Sequence, residues 1–186
     1  GSYPIDIKKG NKILHHIDYK LDSRTPNSAN RPSYSTKDVI YLITPDRFAN
    51  GDPSNDAVPT YREPNPARNE MYGRHGGDLK GIIDRLPYIH DMGFTAIWNM
   101  PVLANDQAKE SYHGYAITDH YLIDPRFGTN AQYKELAEKA GQKGIKLVMD
   151  VVSNHCGDGH WWIACPCNWC NGLFPRHCQA IWIEGG

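Results

Sequence analysis

Three short apolar runs, spaced by stretches of helical periodicity, constrain this chain more than any other feature. The first, Val39–Ile43, is almost continuously apolar, as expected of a strand buried on both faces. Leu79 to Met92 then places apolar residues at 79, 82, 83, 86 and 89, a helical spacing, and Gly93 stops it. Phe94–Trp98 reads as a second strand. Thr129 or Asn130 can cap a helix through Ala140, with Leu136 and Ala140 on one face and Gly141 and Gly144 ending it. Ile145–Val152 is the third strand. This alternation predicts an α/β fold with parallel pairing and right-handed crossovers. Two long loops, Thr44 to about Asp78 and Asn99 to about Gly128, follow strands and therefore sit at their carboxyl ends. Loops of this length in compact domains are usually functional.

Composition narrows the class. A length of 186 residues suits one domain, or one domain and part of another. The net charge of −1 supplies no basic field for nucleic acid and no polybasic membrane patch. No apolar run approaches the roughly 18 residues of a membrane span, and the N-terminus shows no charged-then-apolar leader. Residues 1–30 hold two alternating segments, Tyr3 to Lys8 and Ile13 to Leu21, with Gly10-Asn11 as a hairpin turn. They read as the last hairpin of a β-rich domain. Residues 22–36 are a polar, Pro-containing linker.

Three segments carry chemistry. Asn50, Asp52, Asn55 and Asp56, with the later Gly76-Gly77-Asp78, place oxygen donors on a path bent by Gly and Pro. That suits a hard cation such as calcium, and equally suits a plain turn. Tyr112-His113-Gly114-Tyr115 offers aromatic faces for a sugar ring and a histidine for its hydroxyls, or simply a packed loop. Asp150, Asn154 and His155 follow the third strand, as a binding group or as core and cap.

In this order the segments resemble the N-terminal part of the catalytic barrel of the α-amylase family of glycoside hydrolases, over roughly residues 3–162. Asp46 to Asp56 is similar to the first barrel loop of cyclomaltodextrinases, neopullulanases and cyclodextrin glucanotransferases, where that loop and a Gly-Gly-Asp hold calcium. The resemblance implies calcium at Asn50, Asp52, Asn55, Asp56, Gly76 and Asp78. The string from His113 to Thr129 looks like the segment whose second tyrosine, here Tyr115, stacks on the glucose ring at the cleavage site, with His113 lining the same subsite. Asp150-x-x-x-Asn154-His155 matches the family's first signature. It implies that His155 bonds the sugar, Asp150 supports it, and Asn154 is a candidate for a second calcium.

The fold so implied is the first three β/α units of a (β/α)8 TIM barrel at residues 31–162, preceded over 1–30 by the last hairpin of a β-sandwich domain. A whole barrel needs roughly 250 residues. The implied chemistry is retaining hydrolysis of α-1,4-glucans by two carboxyl groups. The family places its nucleophilic Asp after strand four and its acid Glu after strand five, and neither motif occurs here. The isolated chain is therefore expected to be poorly soluble, through open sheet edges, and inactive. Full-length relatives often form homodimers, and similar starch-using enzymes are often periplasmic or secreted.

The tail, residues 163–186, departs from the family. Of 20 basic and 21 acidic residues only Arg176 and Glu184 fall there, against four of the five cysteines. A shifted reading frame near residue 162 explains the change. A zinc site of Cys165, Cys167, Cys170, His177 and Cys178 is the alternative. A non-catalytic glucan- or zinc-binding module is the alternative for the chain as a whole.

Overall fold

The structure, a computed structural model, describes residues 1–30 and 33–164. The cysteine-rich stretch, with Cys165, Cys167, Cys170, His177 and Cys178 of the alternative zinc reading, lies outside the described residues. The chain divides into two compact units, Gly1–Ser35 and Thr36–Gly186. In the first, β1 (Ser2–Lys9) and β2 (Lys12–Lys20) pair antiparallel around Gly10, whose φ of +59° is the left-handed turn that glycine adopts without strain. Tyr3 faces Tyr19 and Ile5 faces Ile17, so alternation gathers the apolar side chains on one side of the hairpin.

The second unit is built on three parallel strands, β3 (Ile40–Ile43), β4 (Ala96–Asn99) and β7 (Lys146–Met149), hydrogen-bonded in that order. A four-residue helix α1 (Pro45–Phe48) follows β3. The single helix expected over 79–92 is instead two, α2 (Leu79–Asp84) and α3 (Leu86–Asp91). Pro87 is the reason. It has no N–H for the helical ladder, and its ring crowds the carbonyl four residues back. Arg85 accordingly leaves helical geometry at φ −98°, ψ 4°, and Pro87 becomes a first-turn residue of α3. Gly93, at φ +83°, ends the element as expected.

The loop expected over 99–128 contains a short antiparallel pair, β5 (Leu103–Ala104) with β6 (Asp119–Ile123), and a 3-10 turn at Ser111–His113. Helix α4 (Asn130–Gln142) starts from Thr129. Its Oγ1 accepts from Gln132 N at 3.1 Å while Gln132 Oε1 accepts from Thr129 N at 2.9 Å, a reciprocal cap. Gly141 lies inside α4, and Gly144 (φ +72°) makes the turn into β7. A last short helix, α5 (Trp161–Ala164), closes the described chain.

The core lies between the sheet and its helices. Leu79, Ile82, Leu86 and Ile89 pack with Ile43, Ile97, Leu136 and Ala140, all nearly inaccessible. The strands are not buried on both faces, contrary to the expectation from their apolar runs. Ile40, Leu42, Trp98 and Met149 are more than 40% exposed. Successive side chains point to opposite faces, and among the described residues only one face is covered by helices. The sheet does not close into a barrel among those residues, and β3 and β7 each pair on one side only. No helix of the described residues is long and apolar enough to cross a membrane.

Gly81 shows how closely α2 meets the first loop. A Cβ there would strike the Ala49 carbonyl. Alanine is intrinsically better in a helix by about 1 kcal/mol, yet the overpacking is expected to dominate. Gly81→Ala should destabilise the chain by about 1–3 kcal/mol in urea denaturation; a stabilised variant would contradict this packing.

Candidate active site

Two groups of side chains assemble at the carboxyl ends of the parallel strands. The first is the loop after β3, which folds onto the start of α2 through two carboxylates. Asp78 Oδ1 accepts from Gly51 N at 3.0 Å and Gly81 N at 2.6 Å. Its Oδ2 accepts from Asp52 N at 2.8 Å and Asn55 Nδ2 at 3.3 Å. One side chain thus caps α2 and holds the far end of the loop. Asp46 does the reverse, accepting from His75 N at 2.8 Å and Gly76 N at 3.2 Å. Gly77 fits only as glycine, since a Cβ would meet the Pro45 carbonyl oxygen.

All six residues expected to hold calcium lie in or against this loop. Asn50 Nδ2 donates to Asp56 Oδ1 at 2.7 Å, and a Cβ on Gly76 would collide with the Asp56 carboxylate. Hydrogen bonds from Ser54 hold the Asp52 carboxyl below the usual carboxylate range. Among the described residues no three His, Cys, Asp or Glu side chains gather as a metal site. What the loop adds is amide oxygen: Asn50 Oδ1 and Asn55 Oδ1 are buried and accept no hydrogen bond. Buried oxygens without donors, beside carboxylates, fit a hard cation that takes amide and carbonyl ligands. Asp78 fits less directly, because both its oxygens are engaged.

The second group lies where β4 and β7 end. Trp98 stands on the open face of the sheet, and Asp150 follows β7 directly. Trp98 Nε1 and Tyr115 Oη both donate to Asp150 Oδ2, each at 3.1 Å. His155 Nε2 lies 2.9 Å from the Tyr115 carbonyl and therefore carries the ring proton; its Nδ1 accepts from Asn154 Nδ2 at 3.2 Å. His113 Nδ1 accepts the Tyr115 N–H at 2.9 Å, which puts the His113 proton on Nε2, available to a ligand. Burial pushes the His113 pKa down, against the raising effect of Glu110 and Glu63, so the ring stays neutral at ordinary pH. The His113 and Tyr115 rings stack with centroids 5.9 Å apart, and Arg47 lies over Tyr112 at 4.1 Å. The structure brings His113, Tyr115, Asp150 and His155 together. It gives the Asn154 amide to His155.

Residues 42–167 match the family profile for the α-amylase catalytic domain. The chain belongs to the α-amylase family. Neopullulanase 2 of Thermoactinomyces vulgaris is 44% identical over 127 residues, 68% of this chain and 21% of that protein. The cyclomaltodextrinase of Thermoanaerobacter pseudethanolicus is 40% identical over 126 residues, covering 68% and 21%. Among solved structures, an α-amylase from Anoxybacillus superposes with a TM-score of 0.62 at 43% identity, over 69% of this chain and 26% of that one. The chain thus spans about a fifth of the length of these curated relatives. The family fold is the TIM barrel, and the relatives are glycosidases.

Several interactions of this α-amylase segment escaped the sequence reading, which placed Asp124 and Arg126 in the second segment without pairing them. Asp124 and Arg126 form a fully buried two-pronged ion pair, Nε–Oδ1 and Nη2–Oδ2 both 2.8 Å. Arg126 also donates to the Glu63 carbonyl at 3.0 Å and the Asn105 carbonyl at 2.8 Å, joining both long loops. Trp98 was read only as strand. Arg62 donates to Asp158 Oδ1 at 2.9 Å and to the Asp106 carbonyl, holding the Asp158 carboxyl low. None of these pairs leaves a periodic signal.

Removing one charge of the Asp124–Arg126 pair strands the other in the interior. Asp124→Asn is expected to cost about 3–5 kcal/mol of stability. The double variant Asp124→Leu/Arg126→Met should not recover that loss in the same thermal melts, because it leaves the Glu63 and Asn105 carbonyls without their donor and Asn105 N without its acceptor. A double variant as stable as the parent would mean that these backbone bonds do not depend on the pair.

Proposed function

We propose that this chain forms one wall of the substrate cleft of a retaining glycoside hydrolase acting on α-1,4-glucans such as starch, maltooligosaccharides, cyclodextrins or pullulan. The observation that carries the reading is the convergence of Tyr115 and Trp98 on one oxygen of Asp150, with His155 tied to the Tyr115 backbone. This fixes an exposed aromatic plane at the carboxyl end of the sheet, where barrel enzymes bind substrate. A glucose ring packs its apolar face on Tyr115. His113 Nε2–H is a neutral donor for a sugar hydroxyl. For His155 to bond the sugar, its Nε2–H must leave the Tyr115 carbonyl or share its proton with the ligand.

Retaining hydrolysis needs a nucleophilic carboxylate and a carboxylic acid about 5–5.5 Å apart. No residue here is assigned either role. Asp150 is a support, held by two donors. The segment belongs to the first three units of the barrel, and alone it is expected not to cleave glucan.

Calcium belongs to the same reading. Asn50 and Asn55 would hold it through the amide oxygens that lack donors, with Asp52, Asp56 and the Gly76–Asp78 turn around them. When bound, the ion supplies structural charge that fixes the first loop. Asn154 as a second calcium ligand is the less supported part, since it is exposed and its oxygen is not, like those of Asn50 and Asn55, buried without a donor.

Isothermal titration of maltoheptaose into the full chain tests the sugar site. Losing the stacked ring is expected to cost Tyr115→Ala at least about tenfold in affinity, the value of about 1.4 kcal/mol. Undiminished binding would remove Tyr115 from the site. For the metal, calcium at about a hundred times its dissociation constant should stabilise the chain by about 2.7 kcal/mol, reversibly with chelator. Asn55→Ala should abolish that gain, and a gain that survives the substitution would place the ion elsewhere.

A further inference from the structure

Within the first loop, residues 67–74 form a tight turn. Ala67 N donates to the Arg74 carbonyl at 2.7 Å and Glu70 N to the Ala67 carbonyl at 2.9 Å. A Cβ on Gly73 would strike the Ala67 carbonyl oxygen. The turn sends one side chain back across the loop. Arg68 Nη2 donates to Asp56 Oδ2 at 3.2 Å, and Arg68 Nε donates to the His75 carbonyl at 2.8 Å. One guanidinium therefore bridges a carboxylate and a backbone carbonyl, two kinds of oxygen that a hard cation also takes.

The other basic groups near the loop are committed elsewhere. Arg47 Nη1 donates to Asp46 Oδ2, and Arg74 Nε lies 3.6 Å from Asp46 Oδ1. Arg74 also reaches the Asp56 carbonyl at 3.4 Å, but it is fully buried. The charge of Lys80 is felt at Asp52 and Asp78, while its ammonium pairs with Asp84 at 2.6 Å. Of the carboxylates expected around a cation, Asp52 accepts from Ser54, and Asp78 from backbone N–H groups and the Asn55 amide, all neutral donors. Asp56 differs. Its Oδ1 accepts from the Asn50 amide, and its Oδ2 accepts from a charged donor.

Exposure decides which partner of this pair can move. The Asp56 side chain is 15% exposed and the Arg68 side chain 58%. Asp56 is further confined by Gly76, where a Cβ would collide with the carboxylate. An exposed ion pair is weak. A divalent ion attracts a carboxylate more strongly than a guanidinium does, and the two positive charges repel when they share it.

We propose that Arg68 is a built-in competitor of the loop's cation. Without metal, its guanidinium neutralises Asp56 and ties that carboxylate to the His75 backbone. When a cation takes Asp56, Arg68 gives up Oδ2 and turns to solvent. Arg68 thus lowers the affinity of the loop for metal and holds the loop together in its absence. The competition rests on the calcium reading of the loop given above; the bridge itself does not. Linkage fixes the sign. Replacing Arg68 weakens the metal-free fold and leaves the bound one intact, so affinity rises by at least the factor lost in metal-free stability.

Titration of calcium into the metal-stripped full chain, with urea denaturation in chelator and in saturating calcium, tests the idea. Arg68→Ala should lower the calcium dissociation constant at least about threefold, within the range of an exposed ion pair. Its urea midpoint should fall below wild type in chelator, and the difference should close in calcium. Arg68→Gln, which keeps N–H donors without the charge, should also bind more tightly. Lys143→Ala makes the same change in net charge at the C-terminal end of α4 and should leave the constant where it is. An affinity unchanged or weakened in Arg68→Ala overturns the competitor and leaves the calcium loop standing, as does an equal gain in Lys143→Ala. Absence of calcium binding in wild type and variants alike removes the calcium reading and this inference with it.

Discussion

The carboxylate of Asp78 is the point on which the functional end of the molecule depends. It accepts from the backbone of Gly51, Asp52 and Gly81 and from the Asn55 amide. A buried carboxylate is costly unless donors surround it, and here they come from both a helix terminus and a loop nearly thirty residues away in sequence. Capping α2 and closing the first loop are therefore one event. Asp46 repeats the device in the opposite direction by holding the His75–Gly76 backbone. The amide oxygens of Asn50 and Asn55 are left buried and without donors inside a loop that is already closed.

The aromatic plane follows the same logic one layer further. Parallel register sets Trp98 beside Val148 and Asn99 beside Met149, so the residue after β7, Asp150, comes within reach of the Trp98 indole. Tyr115 arrives from the second loop, whose path is set by the buried Asp124–Arg126 pair and by β5 and β6. Two neutral donors on one carboxylate oxygen fix the ring and its support. The Trp98 and Tyr115 rings are each positioned by a hydrogen bond at the polar atom, and Tyr115 is stacked on one side against His113.

Much of this was legible in the sequence where the determinant is local. Gly93 and Gly144 punctuate because a positive φ is needed there, and Thr129 caps because a hydroxyl precedes Gln132 by three positions. The segments around Tyr115 and Asp150 were singled out by their resemblance to the α-amylase family, since spacing alone left a packed loop and a core-and-cap reading open. The split between α2 and α3 was present in the sequence as Pro87, and apolar periodicity that continues across it hid the break. The exposed face bearing Trp98 was hidden for another reason, since an apolar run does not reveal which side is covered. Pairs such as Asp46 with His75, Asp124–Arg126 with Glu63, and Asp56 with Arg68 join distant positions through tertiary contact, so no pattern of spacing announces them.

The proposed cation loop and the proposed glucan-facing plane both lie at the carboxyl ends of the parallel strands. A crystal structure of the chain grown with calcium and maltotriose tests both at once. The expected result is a cation bonded to Asn50 Oδ1 and Asn55 Oδ1 and a glucose ring stacked on Tyr115. Sugar bound elsewhere, or donor amide nitrogens turned into the loop where the cation should be, would contradict it.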